Sequence, residues 1–151
     1  MKVIILGSGR VGAAIAMSLS RTGHDIAVID SDPDSLMRLG GDDFAGDFYV
    51  GEAMDPDVLE RAGIEQADAF IASTDNDNVN VVIAQIAQRR YGVTNVVVRV
   101  FDPDKAAFYE QRGLSVVCPT NRAIGEMIAA VDPSGAATAA VAGAAGLPAS
   151  S

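Results

Sequence analysis

The sequence predicts an α/β fold in which a parallel sheet is wound on both faces by helices. Three observations lead there. Short apolar strands alternate with helical stretches along the 151 residues, the order expected of βαβ units. The strands are near-continuous Val, Ile, Leu and Ala runs, as a sheet covered on both faces requires. Residues 1–30 hold a strand, a glycine-rich turn, an amphipathic helix, a second strand and a terminal acid, the layout of a dinucleotide fingerprint. Together these describe a Rossmann-like, doubly wound six-stranded parallel sheet in a single domain over 1–132. An Ala/Gly-rich tail or linker stub, 133–151, follows it.

Taken in order, strands are expected near Val3–Leu6, Ile26–Ile29, Asp47–Val50, Ala69–Ala72, Val96–Val100 and Val116–Cys118. Helices are expected near Arg10–Arg21, Asp34–Leu39, Pro56–Ala62, Asn76–Tyr91, Lys105–Arg112 and Arg122–Val131. Gly23, Gly92 and Gly113 stand where left-handed helix C-caps are needed. Crossovers between parallel strands should be right-handed. In the helix Asn76–Tyr91 a core stripe of Val79, Val82, Ile83, Ile86 and Ala87 is widened by Val81 and Ala84. That width suits either a second buried surface, such as another subunit, or a broad contact with the sheet. Ile124, Met127, Ile128 and Val131 recur at helical spacing in the last helix, which either covers the sheet or docks elsewhere. After Asp132-Pro133 the chain is almost wholly small and uncharged, a composition that buries little apolar surface.

The fingerprint is Gly7-Ser8-Gly9-Arg10-Val11-Gly12, between Val3-Ile4-Ile5-Leu6 and the strand that ends on Asp30. Gly7 permits the tight turn, Gly9 lets backbone approach a pyrophosphate, and Gly12 lets helix and strand pack closely. Free N–H groups and the helix dipole attract phosphate at this point. Asp30 would accept hydrogen bonds from an unmodified ribose and repel a 2′-phosphate, so NADP is disfavoured. Arg10 opposes the dipole in the first helical turn, at about 0.3–1 kcal/mol. It is either a phosphate contact or a solvated side chain.

Ligands of open parallel sheets gather at the carboxyl ends of strands. There lie Asp30, Ser31 and Asp32, then Gly51, Glu52 and Ala53, then Ser73, Thr74 and Asp75. Gly51 would allow backbone to approach a base edge. Ser73–Asp75 cap the long helix by default, a role compatible with touching a nucleotide. Arg99, inside the strand Val96–Val100, needs a partner if buried, and a phosphate or Asp75 could serve.

Composition narrows the function classes. A chain 49% hydrophobic and 21% charged is globular. Its net charge of -9 argues against nucleic acid, which wants clustered Lys and Arg. The lone Cys118 allows no intrachain disulfide and reads as a buried, inert thiol in a reducing compartment. No stretch approaches ~18 consecutive apolar residues, so no membrane insertion is expected. Met1 leads directly into the first strand, without a signal peptide, and a cytoplasmic location follows. No metal-ligand spacing, catalytic acid–base pair or triad accompanies His24, the one histidine. Binding is evident and chemistry is missing.

Several stretches resemble the N-terminal domain of the regulator-of-potassium-conductance family, also called TrkA-N. They are Gly7–Gly12, Thr22-Gly23-His24 leading to Val28-Ile29-Asp30, Gly51–Ala53, Asp55 through Ile64, and Ala67–Asp75, with Arg99, Gly113 and Pro119. The similarity spans residues 1–131. Members are cytosolic gating subunits of Trk/Ktr-type potassium transporters and related channels. The resemblance implies a Rossmann domain that binds NAD(H), ATP or ADP and forms homo-oligomers: dimers, tetramers or octameric rings. It implies contact with a membrane potassium transporter subunit, at the inner face of the cell membrane. By position it puts Arg10 at the terminal phosphate end, Asp30 at the ribose, and Glu52-Ala53 at the adenine. Ser73–Asp75 and Arg99 fall along the phosphate or distal half. Thr120 stands where an acid often follows the proline, so that cross-subunit contact does not carry over. The Ala/Gly tail stands where the family's C-terminal ligand domain would begin. The resulting expectation is a non-enzymatic nucleotide-binding regulatory subunit; the alternative is the NAD-binding half of an oxidoreductase.

Overall fold

A computed structural model describes residues 1–137. Six strands run in order β1 (Lys2–Leu6), β2 (Asp25–Asp30), β3 (Asp47–Val50), β4 (Ala69–Ala72), β5 (Asn95–Arg99) and β6 (Ser115–Val117). They form one sheet in the order β3-β2-β1-β4-β5-β6, with all neighbours parallel. This is the Rossmann order, in which the chain reverses its direction of travel between β1 and β4. The six-stranded α/β expectation therefore holds.

The interior of the sheet is built from the apolar runs themselves. Ile4, Ile5, Val28, Ile29 and Phe70 are fully buried. Alternation divides them between two layers: Ile4, Leu6, Ile29 and Phe70 pack on one face, Val3, Ile5, Ile26 and Val28 on the other. Against one layer lies α1 (Arg10–Arg21), with Ala13 and Ala16 buried. Against the other lie α2 (Pro56–Arg61) and α3 (Asp77–Arg89).

Two helices start earlier than expected, where proline sets the first turn. Helix α4 covers Pro103–Glu110 rather than 105–112, because Asp102 caps it and Pro103 occupies its first turn. Helix α5 (Pro119–Val131) starts ahead of the expected Arg122, for the same proline reason. The segment Pro33–Leu39 is a 3₁₀ helix, tighter than the α-helix its periodicity suggested.

The stripe of α3 is also turned. Asn80, Ile83, Ala84 and Ala87 face the sheet with Val81, while Val82, expected in the core, is 40% exposed. None of α5's residues is buried; Met127 and Val131 are 72% and 83% exposed. That helix does not cover the sheet of its own chain. Expectations for the tail fall mainly on residues 138–151, outside the described residues.

Candidate functional site: a cleft at the topological switch point

Where the strand order reverses, the loops after β1 and β4 diverge and leave a cleft of about 480 Å³. Gly7, Gly9 and Arg10 line it from the first turn, and Asp30, Ser31 and Asp32 from the end of β2. Gly51, Glu52 and Ala53 follow β3, Ser73, Thr74 and Asp75 follow β4, and Arg99 ends β5. Thirteen of the sixteen expected residues thus meet around one opening: Gly7, Gly9, Arg10, Asp30, Ser31, Asp32, Gly51, Glu52, Ala53, Ser73, Thr74, Asp75 and Arg99.

The other three, Ser8, Val11 and Gly12, do not line it. Ser8 is fully buried. Val11 is 45% exposed and is absent from the cleft lining. Gly12 serves packing: a Cβ there would sit 1.8 Å from the Gly7 carbonyl oxygen.

Each fingerprint glycine has its own reason. Gly7 takes φ +92°, a left-handed conformation, and its N–H donates to the Ile29 carbonyl at 2.8 Å. Gly9 differs, since a Cβ there would meet no protein atom within 4 Å. Its missing side chain therefore leaves open space at the start of α1. No side chain caps that helix, and its first turn contains no acid. By contrast α2, α3 and α4 are capped by Asp55, Asn76 and Asp102. The first N–H groups of α1 remain available to an anion.

Asp30 is held from two sides. Its Oδ2 accepts the Ser8 N–H at 2.8 Å, and its Oδ1 accepts the Asp32 N–H at 2.9 Å. The Ser8 hydroxyl lies 3.1 Å from the same Oδ2 and 2.6 Å from the Ser35 hydroxyl. The carboxylate therefore arrives at the cleft in one orientation.

Opposite it, the β4 loop is tied by buried polar groups. Ser73 is buried and donates its hydroxyl to the Leu6 carbonyl at 3.0 Å. Asn80 is fully buried; its Oδ1 accepts the Thr74 N–H at 3.0 Å and the Thr74 hydroxyl at 2.6 Å. Its amide donates to the Thr74 and Arg99 carbonyls at 2.9 and 3.0 Å. The cap of α3 is Asn76, whose side chain accepts from the Val79 N–H. The expected capping by Ser73–Asp75 is thereby corrected: the helix starts at Asp77 with Asn76 as its cap, and Thr74 instead holds the Asn76 N–H and the Asn80 side chain.

Arg99 lines the cleft and is held there by backbone carbonyls. Its Nη2 donates to the Ser73 and Thr74 carbonyls at 2.5 and 2.8 Å; of the two partners considered for it, a phosphate or Asp75, the Asp75 carboxylate is not hydrogen-bonded to it. The guanidinium stacks 4.6 Å from the Phe101 ring centroid. Burial pulls its pKa below the ordinary arginine value, while Asp75 and Asp77 act to raise it. Its Nε is buried without a hydrogen-bond partner. Gly51 likewise has a packing reason not foreseen: a Cβ there would lie 2.4 Å from a Val58 methyl.

Sequence reading missed Arg38, Asn76, Val79 and the buried pair Ser35 and Asn80. Arg38 reaches the cleft from the 3₁₀ helix, where only its position eight residues beyond Asp30 hinted at it. Asn80 carried a signal, a polar residue on the apolar face of a helix. Cys118 is buried with its thiol 3.6 Å from the Phe101 carbonyl. Among the described residues no cluster of three His, Cys, Asp or Glu could hold a metal ion, and no helix is long and apolar enough to cross a membrane.

Residues 3–119 match the model of the TrkA-N domain. The chain belongs to the TrkA-N family. It is 42% identical over 136 residues to the Trk system potassium uptake protein TrkA of Streptomyces coelicolor, covering 90% of this chain and 60% of that protein. This TrkA-N chain thus spans less than two thirds of its relative's length. Its fold is similar to the C-terminal domain of Kef from Shewanella denitrificans in AMP-bound form (TM-score 0.73, 25% identity, 96% of this chain and 89% of that one). It is similar, too, to the TrkA-N domain of the inner membrane protein ybaL of Escherichia coli (TM-score 0.76, 20% identity, 87% and 96% coverage).

Proposed function

We propose that this TrkA-N domain binds an adenine nucleotide in the switch-point cleft and acts as a non-enzymatic regulatory subunit of a potassium uptake system. The observation that carries the reading is the empty space at Gly9 beside the uncapped start of α1, an opening matched to a phosphate. Arg10 lies next to it on the cleft wall and would meet the terminal phosphate. Asp30, fixed by Ser8 and Asp32, would accept the ribose hydroxyls and repel a 2′-phosphate, which disfavours NADP. Glu52 and Ala53 would border the adenine.

The candidate ligands are NAD(H), ATP and ADP. The AMP-bound Kef domain, similar in fold, supports the adenine nucleotide class. The TrkA name of the Streptomyces relative supports the potassium transporter as partner, reached from the cytoplasmic side through a homo-oligomer. The exposed apolar residues of α5 and Val82 on α3 supply surface for such assembly.

A nucleotide alters gating only through different affinities for two shapes of the assembly. Calorimetric titration with NADH, NAD, ATP and ADP, paired with light scattering, tests the proposal. Different affinities or different assemblies among the four are expected. Equal affinity and identical assembly with all of them would sink it, and hydride turnover by the isolated chain would favour an oxidoreductase half.

A further inference from the structure

Two buried hydroxyls stand behind the ribose-facing carboxylate. Ser8 and Ser35 are both fully buried, one in the fingerprint turn and the other in the 3₁₀ helix after β2. Their oxygens lie 2.6 Å apart. Ser35 donates its own proton to the Asp32 carbonyl at 2.7 Å, which leaves its oxygen free to accept. The Ser8 proton therefore has two possible acceptors: Ser35 at 2.6 Å and Asp30 Oδ2 at 3.1 Å.

That choice sets what Asp30 can still accept. A carboxylate offers about four lone-pair sites, two on each oxygen. The backbone N–H groups of Ser8 and Asp32 occupy one site on each oxygen. One site per oxygen remains, matched to the two hydroxyls of a ribose cis-diol. If Ser8 Oγ–H also donated to Oδ2, that oxygen would be full and only one hydroxyl could be received.

We infer that Ser35 is a positioning residue for ribose recognition: by taking the Ser8 proton, it keeps both oxygens of Asp30 open to the diol. The inference rests on the nucleotide reading of the cleft and deepens it. Without the Ser35 oxygen, the Ser8 hydroxyl can turn only to Asp30 and competes there with the ribose. Removal of both hydroxyls ends the competition and reopens the site.

Calorimetric titration of ADP, 2′-deoxy-ADP and 3′-deoxy-ADP against wild type, Ser35→Ala, Ser8→Ala and the double variant tests this, with thermal melting as a folding check. Wild type is expected to prefer ADP over at least one deoxy analogue by about 10-fold, the scale of a hydrogen bond to a charged group. Ser35→Ala should lower that ratio to about 2-fold, while Ser8→Ala and the double variant keep it near the wild-type value. Restoration by a second deletion is a result that mere loosening of the fold cannot produce. An unchanged ratio in Ser35→Ala, or a double variant as unselective as Ser35→Ala, overturns the inference. Should Ser35→Ala not fold, Ser8→Ala alone decides, since a lowered ratio there would show that the hydroxyl serves Asp30. Wild type that binds ADP without ribose preference overturns this inference alone, and wild type that binds no nucleotide overturns the functional proposal beneath it.

Discussion

The Asp30 carboxylate accepts the backbone N–H of Ser8 at 2.8 Å, which locks the end of β2 to the glycine turn after β1. The elements proposed to receive ribose and phosphate are thereby a single unit. A change at Asp30 is therefore expected to affect the fold as well as the proposed binding.

Asp30→Ala leaves the N–H groups of Ser8 and Asp32 without their acceptor. Loss of a buried donor's partner costs about 1–3 kcal/mol. A lowered urea midpoint and a loss of adenine nucleotide affinity are both expected. An unchanged affinity would point to a domain that serves assembly alone.

Arg10→Ala should behave differently. Arg10 is exposed at the first turn of α1, where a cation opposes the helix dipole. Stability should stay level or rise by up to about 1 kcal/mol, as read by thermal melting. Affinity for ATP should fall more than affinity for ADP, as read by titration; parallel losses would remove Arg10 from the terminal phosphate.

Gly9→Ala and Gly12→Ala separate binding from folding. At Gly9 a Cβ meets nothing, whereas at Gly12 it meets the Gly7 carbonyl oxygen at 1.8 Å. Gly9→Ala is expected to melt within about 1 kcal/mol of wild type yet lose nucleotide affinity, because the methyl fills ligand space. Gly12→Ala should destabilise by roughly 3 kcal/mol or more through overpacking. Equal melting temperatures for the two variants would contradict the packing described.

Asn80→Ala removes an acceptor for Thr74 and a donor to two carbonyls at once. With the side chain fully buried, a loss of about 2–4 kcal/mol is expected in chemical denaturation. Nucleotide affinity should fall as well, because Thr74 and Asp75 lose their fixed path along the cleft.

Much of this was legible in the linear chain. The alternation of strands and helices, the glycine fingerprint and the acid ending β2 are local patterns of period, turn and cap. They need no knowledge of distant partners. Glycines and acids at strand ends also lie near one another by topology alone, since every strand of a parallel sheet points its carboxyl end the same way.

What only the tertiary structure decided is which polar groups answer one another. Arg99 bonds to carbonyls 25 and 26 residues away, and Ser8 meets Ser35 across 27 residues. Gly51 is glycine because Val58 packs onto it. Such pairings depend on how crossovers bring loops to within 3 Å. Hydrophobic periodicity determines which face of an element is buried, and hydrogen bonds between loops are settled by distances that no period encodes.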